Sequence, residues 1–301
     1  MRRPRCGMAD TQAAGAIYDL GYQRYTGVRH GRGYAFRTLL LFSFRSAFGL
    51  GRGEKAKTVP VLVAAIIYLP ALMQIGIASA TSMALYLNYA DNLEISAFLL
   101  ALFAASQAPE LIVTDRQQGM LSLYLSRPLR GGDYALAKLG GLGGAMLVLT
   151  LGPQLMLFAG RVFMNEKPWP TFVREWPRLF PILGGTVMVS LFFAAIGLGL
   201  SSRASRRGYA SAAVISFFLL MTAMSSMIQA VASGSVKRYA ILANPTLLVK
   251  GYTSWLFEIE ALRRSAVGRA DLPGTVYLGV MVTVTMLAIA LLLARYRRGD
   301  A

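Results

Sequence analysis

Cysteine and histidine are almost missing: Cys6 and His30 are the only ones in 301 residues. No disulfide can close within the chain, and no His/Cys set has metal-ligand spacing, so no metal site is expected. The G-x-x-x-x-G-K-[ST] phosphate loop is missing too, since "GRGEKAK" at 51–57 has neither its spacing nor its Ser/Thr. Nucleotide chemistry in this chain is thereby excluded. Acidic residues are few, 14 against 31 Lys and Arg, and none lies centrally in an apolar run. An ion-coupled secondary transporter usually carries such acids, with ten or more spans built from repeats, and no internal repeat is found here. Hydrolysis within the membrane needs a His or carboxylate pair, or a metal set, at span depth. His30 lies in the N-terminal segment, so no catalytic residue is assigned. The basic start "MRRPRCGMAD" has no apolar core behind it and is not a signal peptide; Met8 is an alternative start.

What the chain does have is apolar length. Hydrophobic residues make up 55% and charged residues 15%, where soluble domains average about a quarter charged. Six apolar segments emerge, at about 58–80, 93–113, 136–163, 179–200, 209–232 and 275–294. Each matches the roughly 30 Å hydrocarbon core at 1.5 Å per helical residue. The fold class is an all-α integral membrane protein with six transmembrane helices. Lys and Arg in the connections number 21 on the side of the termini and 10 on the other, which places both termini in the cytoplasm. The net charge of +17 is then topology and anionic-lipid contact, not a nucleic-acid footprint.

Two segments outside the spans are patterned. In "YAFRTLLLFSFRSAFGLGRGEKAK", 34–57, a helix would gather Arg37, Thr38, Arg45 and Ser46 on one side. Phe36, Leu39, Leu40, Phe44 and Phe48 would cover much of the rest. The apolar part is too short and too charged to span, so an amphipathic helix in the cytoplasmic interface is expected, ended by Gly49, Gly51 and Gly53. In "IVTDRQQGMLSLYLSRPLRGGDYALAKLGG", 112–141, Thr114 and Gln117 have capping-box spacing for a new helix. Gly119 marks a break, and Leu121, Tyr124 and Leu125 form an i, i+3, i+4 apolar face opposed by Ser122 and Ser126. Pro128 stops that helix, Gly131 and Gly132 turn the chain, and Asp133 can cap the next. Lys138 is expected to reach the headgroups. A face of three apolar residues is too small for a core. It can lie on lipid or plug into a groove on another protein.

This order of parts resembles the membrane subunits of type-2 ATP-binding cassette (ABC) exporters. Their loop between the second and third spans carries an acidic residue, a Gly, a short leucine-rich helix, a Pro-containing turn and a Lys. Here Asp115, Gly119, Leu121 to Leu125, Arg127 with Pro128, and Lys138 stand in that order. The resemblance covers roughly residues 34–295. It implies a coupling helix that docks into an ATPase subunit, through Asp115, Arg116, Gln118, Gly119, Leu121, Tyr124, Leu125 and Arg127. It implies an interfacial elbow at 34–57, a coupling loop at 114–138 and a region of short re-entrant helices at 233–272, around "LANPTLLVKGYTSWLFE". The N-terminal segment 1–33 and the tail 295–301 flank these. The implied partners are two copies of an ABC ATPase and a second permease subunit, identical or homologous, with ATP and Mg held by the ATPase. A non-transporting assembly or sensor component coupled to an ATPase is the alternative.

Polar and small residues within the spans have two readings each. Gln74, Gln107, Gln154 and Gln229 line a path or bond between helices. Glu110 is expected to pair with Arg116 or a neighbouring basic loop. Gly140 and Gly144 mark a packing face within the subunit. Met221, Met224 and Met227, with Ser225 beside them, line a path or simply pack. The path candidates are Gln107, Met221, Met224 and Ser225. Asn244 and Pro245 start a short helix and, by the resemblance, lie where an extracellular gate forms. Trp169, Trp176 and Trp255 fit an aromatic belt in the two long outer connections.

Overall fold

The computed structural model describes residues 31–51, 53–81, 88–125, 129–165, 167–259 and 265–297. Cys6, His30, Ser126, Arg127, Pro128 and residues 298–301 lie outside them. The described helices are α1 (Arg32–Ala47), α2 (Glu54–Thr81), α3 (Tyr89–Gln117), α4 (Met120–Leu125), α5 (Gly131–Phe163) and α6 (Pro168–Glu175). They continue with α7 (Leu179–Ser201), α8 (Arg207–Val231), α9 (Gly234–Ala240), α10 (Pro245–Leu256), α11 (Ala266–Ala270) and α12 (Gly274–Arg297). Six helices among the described residues are long and apolar enough to cross a membrane. They begin or end within a few residues of the expected spans, because unbroken apolar length is the signal that sets them.

The spans are not equivalent. In α3, 67% of the most apolar stretch is buried inside the protein, against 17% in α8. Helices α3, α5 and α7 form the centre, while α2, α8 and α12 keep most of their surface for lipid or another chain. Small residues let the central helices approach closely. A Cβ on Gly197 of α7 would lie 3.0 Å from Ala104 and 3.3 Å from Ala108 of α3. Polar side chains close the contacts inside. Thr150 and Ser190 hydroxyls lie 3.1 Å apart, and Gln154 Nε2 donates to the Tyr89 carbonyl at 2.8 Å and to Asn92 Oδ1 at 3.4 Å. Of its two readings, Gln154 thus takes the structural one.

Helix α1 forms where the elbow is expected, and its seat is the glycine-rich part of α5. A Cβ on Gly141 would fall 2.5 Å from Ser43 Cβ and 2.9 Å from Phe44 N, and one on Gly140 3.0 Å from Leu40. The G-x-x-x-G surface is thus occupied within the subunit. Gly49 ends the helix at φ +70°, with Leu50 N–H bonding Arg45 C=O and Gly49 N–H bonding Ser46 C=O, a Schellman closure. The polar side differs from expectation. Ser46 is buried together with Leu39, Ser43 and Ala47, and Leu41 and Phe42 are exposed instead. At Gly141 the helix has turned the small Ser43 toward the tight seat on α5, with Leu40 and Phe44 over Gly140 and Gly144 on either side.

Candidate functional site

The end of the bundle that carries α4 is held by charges drawn inward from the expected loop. Helix α3 does not stop at Thr114. It runs on to Gln117, and the Thr114 hydroxyl is buried with no hydrogen-bond partner among the described residues. No capping box forms there, because a helix already under way has its amides satisfied. Gln118 is the C-cap, its N–H bonding Thr114 C=O, and Gly119 at φ +67° makes the expected break. The extra turn of α3 presents Asp115, Arg116 and Gln117 to their neighbours. Arg116 donates to the carbonyls of Ser202, at 3.1 Å, and of Ala204. Gln117 Nε2 donates to Ser205 C=O at 3.1 Å. Below them Glu110 pairs with Arg207 at the start of α8, in the basic stretch that was one of its two expected partners. Arg116 and Gln117 of α3 therefore fix that loop through its backbone, and Glu110 holds the residue that follows it.

Lys138 departs from expectation most. It does not reach for headgroups: its side chain is 1% exposed and its Nζ lies 2.6 Å from Asp115 Oδ2. Tyr134, also buried, donates its hydroxyl to the same oxygen at 3.0 Å. Asp115 supplies the counter-charge, so the ammonium is satisfied inside and snorkelling offers it nothing. Asp133 sits two residues inside α5, since Gly131 and Gly132 are its first residues rather than a turn before it. There it accepts from Arg130 N–H at 3.0 Å and binds the Arg32 guanidinium in a fork, at 2.6 and 2.7 Å. Fork-shaped pairing of this kind ties the start of α1 to α5.

Helix α4 has two faces. Leu121 and Tyr124 pack against the core, and Tyr124 lies 5.9 Å from the Tyr134 ring. Met120 and Leu123 point away from the protein, Leu123 being 57% exposed. Of the apolar face read from the sequence, Leu121 and Tyr124 accordingly turn inward. A docking face on the other side could have been read from Met120 and Leu123, which share the i, i+3 spacing. Leu125 is the last residue of α4.

At the opposite end, Asn244 caps α10 as expected, its Oδ1 accepting from Thr246 and Leu247 N–H at 3.0 and 3.3 Å, with Pro245 following. Lys250 of α10 pairs with Glu94 of α3 at 2.9 Å. Ser225 donates to Ala240 C=O at 2.8 Å and accepts from Gln229 at 2.9 Å. It is buried under α9, so this hydroxyl does not line an open path within one chain. Gln107 is buried in α3 and donates to Ser106 at 3.2 Å. Met224 and Met227 are exposed on α8, and Met221 is half-buried. Arg161 stacks on Tyr89 at 4.6 Å, beside a pocket also lined by Asn88, Arg178, Phe257 and Glu258. Neither the Lys138–Asp115 pair nor the Glu94–Lys250 pair was read from sequence. The available signal was that Lys138 and Lys250 each lie among apolar neighbours and need a counter-charge.

Among curated proteins none matches this chain. The family model of the ABC-2 family transporter proteins, however, matches residues 25–301, nearly all of it. That span takes in the elbow, the six crossing helices, the α3–α4–α5 junction and the short helices ahead of α12. The chain belongs to the ABC-2 transporter family and is a membrane subunit of an ABC transporter.

Proposed function

We propose that this subunit is the permease of an exporter in the bacterial cytoplasmic membrane, with both termini in the cytoplasm. It is driven by a separate ATPase that docks on α4. The observation that carries the proposal is α4 itself. It is six residues long, joined to α3 at Gly119 and packed by Leu121 and Tyr124 onto the bundle, with Met120 and Leu123 exposed. An exposed apolar pair on a supported short helix suits insertion into a groove on a partner. The α7–α8 loop, held by Arg116 and Gln117, gives the same surface a basic border with Arg203 and Arg206.

The chemistry lies in the partner: the ATPase holds ATP and Mg, two copies of it working with this chain and a second permease, identical or homologous. The thinly buried α8, with Met221, Met224 and Met227 along it, is the surface best suited to face that second permease across a path. Gln107 would stand behind it. Asn244 and Pro245 fix the start of α10, where an exit on the far side would be gated.

Affinity capture of the tagged chain from its native membrane tests this, comparing wild type with Met120→Asp/Leu123→Asp. An ATPase subunit should accompany the wild type and be lost from the double variant. Capture of no ATPase by the wild type under mild detergent would end the proposal.

A further inference from the structure

The Lys138 cluster joins more elements than a pair of charges needs. Asp115 comes from the end of α3 and Lys138 with Tyr134 from α5. The Lys138 Nζ lies 5.4 Å from the Tyr134 ring centre, 6.0 Å from that of Tyr124 in α4 and 6.0 Å from that of Phe42 in α1. Tyr134 in turn packs on Tyr296 of α12 at 5.2 Å. Four helices meet around one ammonium group, and α12 joins them through Tyr134. As a source of stability such a pair is poor, since well-packed apolar residues in its place are often as good or better. Its distinctive property is geometric: short, directional contacts fix the end of α3 to α5, and the Tyr124 ring of α4 packs against that fixed point.

We infer that Lys138 and Asp115 are positioning residues that hold α4 rigidly against α5, and through Tyr134 to α12, so that a push on α4 moves spans instead of tilting α4 alone. This deepens, and rests on, the reading of α4 as the partner's dock. Met120 and Leu123 would receive the force, Tyr124 would pass it to Tyr134 and Lys138, and Tyr296 would carry it to α12. Gly119, with its left-handed backbone and no neighbour within 4 Å of an added Cβ, gives α4 the freedom to tilt once the cluster is broken.

The test reads mobility from the full chain with Cys6→Ser and Leu123→Cys carrying a spin label on the new thiol, without the ATPase, and reads turnover from the chain with Leu123 intact and its captured ATPase. Lys138→Met and Lys138→Met/Asp115→Leu are compared with the parent. The double variant leaves no uncompensated buried charge and is expected to melt no lower than the parent. In both variants the label should become more mobile. ATP turnover per bound ATPase should fall between about twofold and thirtyfold, with the amount bound nearly unchanged. A double variant with parental line shape and turnover would show the pair to be a stabilising contact only and overturn the inference. One that no longer folds would overturn it as well, because the pair would then serve the fold itself. If the chain with Leu123 intact captures no ATPase, the proposed function fails, and the line shape alone decides between a positioned and a loose α4.

Discussion

An added methyl group sorts the glycines of α5 into two kinds. At Gly141 it would collide with Ser43 and Phe44 of the elbow, whereas at Gly143 the nearest atom is a Leu191 methyl 3.5 Å away. Both substitutions gain roughly 1 kcal/mol of helix propensity, so their difference isolates the collision. Gly141→Ala is expected to lower stability by about 1–3 kcal/mol, and Gly143→Ala to hold or raise it. Thermal unfolding in detergent reads the contrast, and equal shifts would remove Gly141 from the elbow's seat. Asn244 offers a second residue-scale test. Its Oδ1 takes two amides at the start of α10, so Asn244→Ala should cost about 0.5–2 kcal/mol. Hydrogen exchange should then speed up at Thr246 and Leu247, with α3 unaffected. Unchanged protection at those two amides would mean that Pro245 alone starts the helix.

At the scale of the element, α4 predicts opposite outcomes for neighbours. Leu121→Asp places a carboxylate against the core and should lower the melting temperature. Leu123→Asp, on the exposed side, should leave melting unchanged while abolishing ATPase capture. A matching loss of stability in both would mean that α4 has no free face. The elements themselves were largely legible. Spans follow from apolar length, the elbow from a dozen apolar residues broken by Arg37 and Arg45, and the break at Gly119 from its backbone freedom. Which side of a short helix turns inward was not legible, because Leu121 with Tyr124 and Met120 with Leu123 satisfy the same spacing. Ser46 was placed wrongly for a similar reason: a tight helix contact selects for size, which a polarity pattern does not record. Lys138 was placed at the headgroups because its counter-charge, Asp115, lies 23 positions away on another helix. Helix α6 was unread, although Pro168 at its first turn is a regular start signal. Trp169 was read only as part of an aromatic belt in an outer connection.

For the whole molecule, the proposed orientation is open to direct labelling. In a Cys6→Ser background, a cysteine in place of Val236, exposed on α9, should react with a membrane-impermeant maleimide in intact spheroplasts. One in place of Leu123 should react only after the membrane is opened, and the reverse pattern would invert the chain and place α4 where no ATPase could reach it.

The three tryptophans have a further consequence. Trp169 lies in α6, Trp176 in the turn before α7 and Trp255 in α10, all at the end of the bundle away from α4. The indole emission of this chain therefore reports from one face only. With a tryptophan-free ATPase bound at the other face, any change in colour or brightness would be a signal that had crossed the full thickness of the bilayer, seen without attaching a dye.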